Sequence, residues 1–544
     1  MEIRDLALPA INKFASDYID GRLKTDKFFH YDIHDEKVYE KRYSDLMNRS
    51  FHRTELAGHI RQYMDPFGMN DCVLRNLEAL EGPDSAVVIG GQQAGLLSGP
   101  LYTIHKAISV IKLAEQQEKA LKKRVIPVFW IAGEDHDIQE VNHIYAMRNG
   151  KPDKMSYPMY VAKKPMVSDL ELDYDTACTW LEDVMESCGE TEYTNDLLAA
   201  MKEIIKESST FSEFFARLLH RWFGSSGLLL IDAADPALRK LESPFFTGVI
   251  KNADEITRKV LAQQELVAGE GYGKAIELEE NAANLFYYEK EKQVRTLLSL
   301  DDKGRFISGK DEAFAFTTDE MLELAESRPE CLSNNVVTRP IMQESLFPVL
   351  AFIAGPGEAA YWAELKQSFE LFEMKMPPIV PRLNITLLER SVETDLKEVG
   401  MSIEDALSGR TKERLSGFLC QIKDETLEDL YARMLGGVEE SHREFSARAL
   451  KVDGALSPLL EKNLDIIKKQ LQFIYDKTNE RNKDKYKTVT SKYNRISCSL
   501  SPLDSPQERI WNPIYFLNKY GPDFIQELTE LQYEFNNKHK VIML

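Results

Sequence analysis

The sequence predicts an α/β protein that contains an open parallel sheet and, near its carboxyl terminus, a long helical hairpin. Two passages, 85–106 and 125–137, each contain a short apolar run that ends in glycine and polar residues before a helical pattern. An open α/β sheet presents its ligand site at such strand ends. Leucine and isoleucine recur at heptad spacing over 460–474, which predicts the hairpin. Two strand-end turns in succession indicate an enzyme.

Composition restricts the class of protein further. A chain of 544 residues is too long for one core, so two to four domains are expected. The formal charge of −20 argues against a nucleic-acid partner, because phosphate binding needs a basic face. Six scattered cysteines without a Cys-x-x-Cys pair indicate reduced thiols. With neither an 18-residue apolar run nor a secretion signal at the start, we expect a cytoplasmic protein without a membrane span.

The patterns along the chain divide it into seven segments. They are N-terminal helices with the first part of the core at 1–145, a helical insertion at 146–224, a core segment at 225–268, a small β-containing insertion at 269–330, a core segment at 331–387, an antiparallel helical coiled coil at 388–495, and a C-terminal segment at 496–544 that returns to the core. Core strands are expected near 87, 125, 227, 336, 349 and 378. Strands separated by helical patterns predict a parallel sheet.

The helical hairpin has two interpretations. Its second helix carries a heptad seam, made of Leu460, Leu464, Ile467, Leu471 and Ile474. The seam either packs within one chain as a strut or joins two copies as a coiled coil. We expect the second arrangement, a homodimer.

The glycine-rich turn at 90–95, Gly-Gly-Gln-Gln-Ala-Gly, is the first candidate site. Glycines such as Gly91 and Gly95 let backbone N–H groups approach a ligand, and a helix that begins near Tyr102 favours anions. The turn matches neither the dinucleotide nor the P-loop pattern. Gln92 and Gln93 supply uncharged donors and acceptors that suit a zwitterionic or sugar substrate. A plain tight turn is the alternative.

The acidic-histidine turn that follows the second strand is the second candidate site. Ionisable groups directly after a buried strand are costly unless they are paired or used. His136, supported by Asp135 and Asp137, could hold a proton near neutrality and act as acid or base. A histidine locked by neighbouring acids is one alternative. A metal site is another, although the H-E-x-x-H spacing is absent. Its ligands would be Glu134, His136, Glu140 and His143, because His136 and His143 could share a helix face with Glu140.

Charged residues at later strand ends complete the candidate set. Glu358 and Trp362 lie four residues apart on a helix that follows Gly355, so a carboxylate and an aromatic wall could bind an ammonium group. Helix capping by the glutamate and core packing by the tryptophan explain the same spacing. Arg339 and Arg382, each at the edge of an apolar strand, could neutralise a carboxylate or phosphate. We expect no protein-bound metal.

Six motifs, in order along nearly the whole chain, resemble the bacillithiol biosynthesis cysteine-adding family. They are Gly-Gly-Gln-Gln-Ala-Gly-Leu-Leu-Ser-Gly-Pro-Leu-Tyr-Thr at 90–103, Phe-Trp-Ile-Ala-Gly-Glu-Asp-His-Asp at 129–137, Asn-Asn-Val-Val-Thr-Arg-Pro at 334–340, Ala-Gly-Pro-Gly-Glu at 354–358, Pro-Arg-Leu-Asn-Ile-Thr at 381–386 and Pro-Gln-Glu-Arg-Ile-Trp-Asn at 506–512. The resemblance implies a Rossmann-like core similar to class I aminoacyl-tRNA synthetases, with connecting-peptide insertions and a C-terminal α-helical coiled coil that pairs two subunits. The His-Ile-Gly-His and Lys-Met-Ser-Lys-Ser signatures of those synthetases are absent as such.

The same resemblance implies a cofactor and a pocket for it. ATP or ADP would bind between the core and the base of the coiled coil. The residues carried over to this pocket are Asn384, Ile385, Thr386, Ser497, Arg509 and Trp511. Trp511 would stack on adenine, and packing alone is the alternative role for a buried tryptophan.

The family resemblance leads to a ligase hypothesis. The amino group of glucosaminyl malate would attack an activated cysteine carboxyl, which makes an amide bond and hence an enzyme of class EC 6. In this hypothesis the glycine-rich turn binds the substrate or the developing anion, and His136 accepts the amine proton. Glu358 would orient an ammonium group, and Arg339 would meet the malate carboxylates. Acyl transfer to another amino sugar, a non-catalytic coiled-coil scaffold and a metal-dependent hydrolase are the alternatives.

Overall fold

The computed structural model describes residues 1–10, 12–148, 150–161, 163–308, 314–422 and 425–544. The chain forms two units, Met1–Leu387 with Gln507–Leu544, and Leu388–Pro506. The second unit therefore extends past 495, and the chain returns to the first unit at Gln507 rather than at 496. In the described part of the chain, no helix combines the length and the apolar character that crossing a membrane requires.

The N-terminal segment is mainly helical, as its charged sequence predicts. Its elements are β1 Glu2–Leu6, α1 Lys13–Ile19, α2 Thr25–Phe28, α3 Val38–Leu46, α4 Arg53–Met64 and α5 Asp71–Glu81. Strand β1 was not predicted, and it pairs antiparallel with the last strand of the chain, His539–Met543. The two ends of the chain thus meet in one three-stranded sheet.

The first core segment and the first insertion follow. Their elements are β2 Ala86–Gln92, α6 Tyr102–Leu121, β3 Val125–Ile131, α7 Ile138–Val141, β4 His143–Arg148, β5 Lys151–Ser156, α8 Tyr174–Cys188, α9 Thr194–Lys206, α10 Phe211–Phe223 and β6 Leu229–Asp232. The β4–β5 hairpin departs from the prediction of an all-helical insertion. Every residue of β3 is buried, which explains its unbroken apolar sequence.

The remainder of the first unit contains the second insertion and the last core strands. The elements are α11 Pro236–Lys251, α12 Ala253–Gly269, β7 Ala282–Glu289, β8 Val294–Leu300, β9 Phe306–Ser308, β10 Ala315–Phe316, α13 Thr318–Ser327, β11 Leu332–Asn334, α14 Thr338–Leu346, β12 Val349–Ala354, α15 Pro356–Trp362, α16 Lys366–Leu371, β13 Ile379–Pro381 and β14 Ile385–Leu388. Strands β7 to β11 form an antiparallel sheet in the order β10-β9-β8-β7-β11, as the insertion was expected to do.

The core strand predicted near 336 is wrong. The chain enters α14 there, and the nearby strand β11 belongs to the antiparallel sheet. The side chain of Asn335 accepts hydrogen bonds from the backbone N–H groups of Val337 and Thr338, which turns the chain into the helix. The β-branched run Val-Val-Thr favours a strand by composition, and this local capping overrides that preference.

The parallel sheet has the order β13-β12-β2-β3-β6, which confirms the predicted α/β fold with an open parallel sheet. Strand β2 lies in the middle, with the next core strand β3 on one side and the later strand β12 on the other. The direction of chain winding therefore reverses between β2 and β12. Ligands of open α/β sheets bind outside the carboxyl ends of the strands at such a switch point.

The second unit is helical, as predicted. Its helices are α17 Arg390–Glu398, α18 Ile403–Leu407, α19 Thr411–Gln421, α20 Glu425–Ala449, α21 Ser457–Lys485 and α22 Lys487–Leu500. Helices α20 and α21 run antiparallel, because Tyr431 stacks on Tyr475 while His442 lies 3.3 Å from Asn463. The elements that return to the first unit are α23 Gln507–Ile510, α24 Pro513–Tyr520, α25 Phe524–Glu530 and β15 His539–Met543.

A candidate active site at the switch point of the sheet

A buried lysine connects the ends of the two central strands. Lys106 projects from α6, and its Nζ donates to the carbonyl oxygen of Gly91 at 2.8 Å and to Oε2 of Glu358 at 2.5 Å. Its side chain is only 3 % exposed. Burial lowers the pKa of the Lys106 ammonium, and the Glu358 carboxylate opposes that effect. The sequence shows Lys106 merely as a polar residue between apolar helix positions, and it was not among the predicted site residues.

Glu358 occupies the start of α15, where the sequence placed it. Its Oε2 also accepts the backbone N–H of Gly355 at 2.7 Å, so the carboxylate caps the helix and fixes the turn after β12. The ammonium group that it holds in this structure is that of Lys106. Trp362, which was predicted to form an aromatic wall beside Glu358, does not line the crevice. Trp362 is 1 % exposed and packs on Phe352, with 4.5 Å between the ring centroids.

Two arginines, the buried Arg382 and the half-buried Arg339, add positive charge near Glu358. Arg339 lies in the first turn of α14 and donates to the Tyr361 hydroxyl at 2.6 Å. Burial lowers its pKa, but Tyr361 and Glu358 outweigh this and leave the pKa of Arg339 above its usual value. Arg382 follows β13 and forms two hydrogen bonds to Glu508, at 2.7 and 2.5 Å. Three cations thus lie near two carboxylates, Glu358 and Glu508, and the remaining positive charge suits an anionic substrate.

Gln93 connects the glycine-rich turn to the acidic-histidine turn. Its Nε2 donates to Asp135 Oδ2 at 2.7 Å and to Glu140 Oε2 at 2.6 Å. Burial raises the pKa of Asp135, yet the hydrogen bonds from Gln93 and from the backbone of His136 outweigh it, so the net pKa is lowered. Asp135 is therefore a carboxylate that orients neighbouring groups. Asp137 is exposed.

The surroundings of His136 differ from those predicted. Its closest charged partner is Arg295 of β8, whose Nη1 lies 3.2 Å from His136 Nδ1, whereas the nearest Asp135 oxygen is 3.9 Å away. Burial lowers the pKa of His136, and the Arg295 guanidinium lowers it further. An arginine can only donate, so Nδ1 accepts and the ring proton resides on Nε2. The role of proton acceptor that the sequence suggested does not agree with this geometry, because the free ring nitrogen is a donor.

The metal site considered for this turn is not formed. Helix α7 is only one turn long and His143 begins strand β4, so His136, Glu140 and His143 do not share a helix face. Glu134 is buried and pairs with Arg239, while Glu140 accepts from Gln93. Within the described ranges, no group of three His, Cys, Asp or Glu side chains is placed to hold a metal ion.

The glycines of the first turn are explained mainly by packing. Gly90 and Gly91 lie within β2 rather than in the turn. A Cβ atom on Gly91 would lie 2.4 Å from the carbonyl oxygen of Trp130 on the neighbouring strand. Gly95 packs against Gly99, where a Cβ atom would be 3.0 Å from the Gly99 Cα. Gln92, the last residue of β2, leads into the switch-point crevice.

The predicted nucleotide-binding residues lie in both units. In the first unit, the Asn384 carbonyl accepts from Lys540, and the Thr386 hydroxyl lies 2.8 Å from His539 Nε2. The remaining candidates lie at separate positions. Ile385 is buried in β14, Arg509 is exposed on α23, Trp511 is buried with its carbonyl accepting from Leu101 beside Tyr102, and Ser497 lies on α22 of the second unit. These contacts leave their role in nucleotide binding a prediction.

A continuous series of contacts joins the three predicted turns. Glu358 contacts Lys106, Lys106 contacts the Gly91 carbonyl, and the chain continues through Gln92 to Gln93. Gln93 then contacts Asp135, which precedes His136. The turns after β2, β3 and β12 therefore lie at one edge of the sheet, as their position at the strand ends predicted.

A doubly wound sheet with buried charged groups at its switch point defines an α/β enzyme of the Rossmann-like class. Two family models match the chain, namely Bacillithiol biosynthesis BshC, N-terminal Rossmann-like domain, at residues 1–383, and Bacillithiol biosynthesis BshC, C-terminal coiled-coil domain, at residues 385–544. The chain belongs to the bacillithiol biosynthesis BshC family, which confirms the family that the motifs indicated.

Relatives match over their whole length. Proteins named "Putative cysteine ligase BshC" from Geobacillus sp. (strain WCH70) and from Bacillus velezensis are 44% and 41% identical to this chain, with 100% of each chain covered. A solved structure from Campylobacter jejuni, a "putative arginyl t-RNA synthetase", aligns with 84% of this chain and 99% of that chain at 10% identity and a TM-score of 0.20. A score that low carries no argument about the fold, so the likeness to class I synthetases stays a prediction.

Proposed function

We propose that this protein is a cysteine ligase that joins the carboxyl group of cysteine to the amino group of glucosaminyl malate, the step that forms bacillithiol. The full-length similarity to proteins named cysteine ligase supports the reaction class. The structural observation that carries the proposal is the crevice between β2 and β12, where the buried Lys106 and the half-buried Arg339 lie beside Glu358. Cations at a strand edge suit substrates that bring several carboxylates.

The chemistry requires an activated carboxyl, because a carboxylate is a poor electrophile at neutral pH. We propose that ATP activates cysteine. The amine nitrogen then forms the new C–N bond, the activating group departs with the C–O bonding electrons, and the amine loses a proton. Negative charge develops on the carbonyl oxygen in this step, and nearby N–H donors stabilise it. Lys106 Nζ and His136 Nε2 are the donors that we assign to this role or to substrate carboxylates.

A reconstituted reaction tests the proposal. Purified protein is incubated with cysteine, glucosaminyl malate and ATP, and the mass of the product and the fate of the nucleotide are followed. We expect a new species at the mass of the amide, with turnover that depends on ATP. Serine in place of cysteine is the matched substrate control. Absence of the amide under conditions where the protein is folded would contradict the proposal, whereas an amide formed without ATP would contradict only the activation step.

We also propose that the second unit pairs two copies of the chain. Leu459, Ile466 and Phe473 are seven residues apart on α21 and are 64%, 50% and 58% exposed. The first four predicted seam residues are instead half-buried within the unit. Apolar residues at heptad spacing that remain exposed form a second stripe, which a second helix pair would cover. We expect the protein to be cytoplasmic, where its scattered cysteines stay reduced.

Sedimentation of the purified chain tests this association. The native protein is expected to sediment as a dimer, and Ile466→Lys combined with Phe473→Lys is expected to give a monomer with unchanged helicity. Asp465→Lys introduces the same kind of charge at an exposed position of α21 outside the stripe and is expected to remain a dimer. A native monomer at micromolar concentration would contradict the pairing.

A further inference from the structure

A second cavity lies beyond the carboxyl end of β6. It has a volume of about 460 Å³ and is lined by residues of α4, α10, β7 and the loops next to them. None of the residues assigned to the switch-point crevice lines it. We propose that this cavity is a separate binding site for a protonated amine that also carries hydroxyl groups, the class of ligand to which an amino sugar belongs. The proposal does not depend on the ligase reaction.

The charge of the cavity wall favours a cation. Five carboxylates line it, and Lys290 is the lysine among the lining residues. The five are Asp169, Glu213, Asp232, Asp235 and Glu330. Arg217 lies outside the lining and pairs with Glu213 at 3.1 Å, so the other four carboxylates face one lysine and leave an excess of negative charge. A concave surface lined mostly by one sign of charge concentrates ligands of the opposite sign.

Asp232 is the most deeply placed of these carboxylates. It is 5 % exposed and accepts from the Ser212 hydroxyl at 2.6 Å and from the Ala234 N–H at 2.9 Å. Burial raises the pKa of Asp232 to about 6, and the nearby carboxylates of Asp235 and Glu134 act in the same direction. A raised pKa means that burial disfavours the charged form of Asp232. A bound ammonium group would offset this by pairing with the carboxylate.

His59 gives the second and independent indication of a ligand. Its side chain lines the cavity and is only 7 % exposed, and neither Nδ1 nor Nε2 has a hydrogen-bond partner among the described residues. A neutral imidazole offers one donor and one acceptor. Leaving both unmatched in a buried position costs free energy, and a ligand hydroxyl can satisfy either one. His59 therefore favours a ligand with hydroxyl groups, and the carboxylates favour a ligand with positive charge.

The remaining walls suit the ring of a small sugar. Tyr63 and Phe67 lie edge to face at 5.4 Å, and Tyr288, which also lines the cavity, donates its hydroxyl to Asp169. Aromatic faces beside carboxylates accept the C–H surface and the hydroxyl groups of a saturated ring together. A volume of 460 Å³ lies in the range of small-molecule sites.

The cavity is separate from the switch-point crevice. Strand β6 is two strands away from β2 in the sheet order, which corresponds to about 10 Å at the usual strand spacing. The backbone of Gly133 lies between them, with Asp232 and Ser212 packed so closely that a Cβ atom there would overlap both. A ligand of each site can therefore be distinguished by substitutions that affect only one of them.

Calorimetric titration of the full chain with D-glucosamine tests the proposal, with N-acetylglucosamine as the neutral control. We expect glucosamine to bind and the acetylated sugar to bind at least about tenfold more weakly. Asp235→Asn removes a charge but keeps a residue that caps α11, and His59→Phe keeps the ring shape. Each is expected to weaken glucosamine binding by about tenfold or more, while Glu78→Gln on the exposed face of α5, outside both sites, leaves it unchanged.

Three results would overturn the inference. They are the absence of glucosamine binding, equal affinity for the neutral sugar, and binding that is lost in Glu358→Gln of the switch-point crevice but kept in both cavity variants. Thermal unfolding of each variant checks that it folds. If Asp235→Asn does not fold, His59→Phe decides the outcome. Cysteine and ATP are omitted from the titration, so a failure of the ligase reaction leaves this result standing.

Discussion

The Nζ atom of Lys106 lies 2.5 Å from Oε2 of Glu358, so one buried ammonium group joins the ends of β2 and β12. The same atom also contacts the Gly91 carbonyl. Because the winding of the sheet reverses between these strands, the pair lies where the fold opens a crevice. Because it is charged and lies in this crevice, we expect the Lys106 ammonium group to be needed for activity.

Replacing Lys106 should abolish most of the activity. Lys106→Met keeps the length of the side chain but removes the ammonium group that meets Glu358, which leaves a carboxylate uncompensated in the crevice. We expect kcat/KM for amide formation to fall by roughly 100-fold or more, the size of effect that follows loss of one charged donor. Lys112→Met on the same helix removes a pair with the exposed Glu115 and should change the rate by less than about twofold. Equal losses in both variants would contradict the assignment.

The pKa of His136 should respond to Arg295. Burial and the Arg295 guanidinium both lower this pKa and therefore favour the neutral ring. Arg295→Gln removes the cation next to Nδ1 and should raise the pKa of His136 toward its usual value. Chemical shifts of labelled histidine, followed over pH, measure the change. Lys292→Gln removes a charge from the turn before β8 and should leave the titration in place. A pKa unaffected by Arg295→Gln would contradict the influence of the guanidinium.

The proton on Nε2 of His136 makes a separate prediction about its role. A donor role is retained in part by the side-chain amide of His136→Gln, whereas His136→Ala removes it. We expect the glutamine variant to keep at least about tenfold more activity than the alanine variant. A proton-accepting role predicts that both variants lose activity equally, because neither side chain can take a proton. The rates of amide formation with saturating cysteine and ATP distinguish the two.

Much of the core could be predicted because its signals are local. Strands β2, β3, β12 and β13 are short apolar runs that end in glycine, proline or charged residues, and each was located from these features. The segment at 335–340 was assigned wrongly because its β-branched composition resembles a strand, while the hydrogen bonds of Asn335 begin a helix. A capping side chain two to three residues away can outweigh the strand preference of β-branched residues. The sequence contains both the capping residue and the β-branched run, so it does not show which one prevails.

The sequence indicated site residues whose candidate partners lie in the same short segment. It did not indicate those whose partners are far away in the chain. Asp135 and Asp137 flank His136 in sequence, so an acid-supported histidine was expected. The residue that sets its environment, Arg295, is 159 positions away and reaches it through the second insertion. Lys106 was overlooked for the same reason, since its partner Glu358 is 252 positions away.

Gly91 should be irreplaceable on steric grounds. Its missing side chain allows β3 to approach, and a Cβ atom would lie 2.4 Å from the Trp130 carbonyl oxygen. We expect Gly91→Ala to lower the free energy of unfolding by at least about 1–3 kcal/mol, the usual cost of overpacking. Gly58→Ala in the exposed middle of α4 meets nothing within 4 Å and should raise stability by roughly 0.5–1 kcal/mol. Urea unfolding of the two variants measures the contrast, and similar values would contradict it.

The buried carboxylate of Glu508 should be a major contributor to stability. It accepts two hydrogen bonds from Arg382 and one from Nδ1 of His105, which is fully buried. Burial raises the pKa of Glu508, but Arg382 and His105 outweigh it and hold the pKa well below its ordinary value near 4.5. Glu508→Gln keeps the shape and removes the charge, which leaves Arg382 buried without its counter-ion. We expect a loss of about 3–5 kcal/mol in the free energy of unfolding.

The pH dependence of this loss has a defined sign. Because the pKa of Glu508 is lowered on folding, its contribution is fully present above the unfolded value near 4.5 and is lost as the pH falls through the folded pKa. The stability difference between the native protein and Glu508→Gln should therefore be constant from pH 8 to about pH 5 and shrink below that. Glu480→Gln removes an exposed partner of Lys477 and should leave the stability nearly unchanged at every pH. Denaturant unfolding at several pH values measures both variants, and a difference that grew on acidification would show that the carboxylate is not held charged by Arg382.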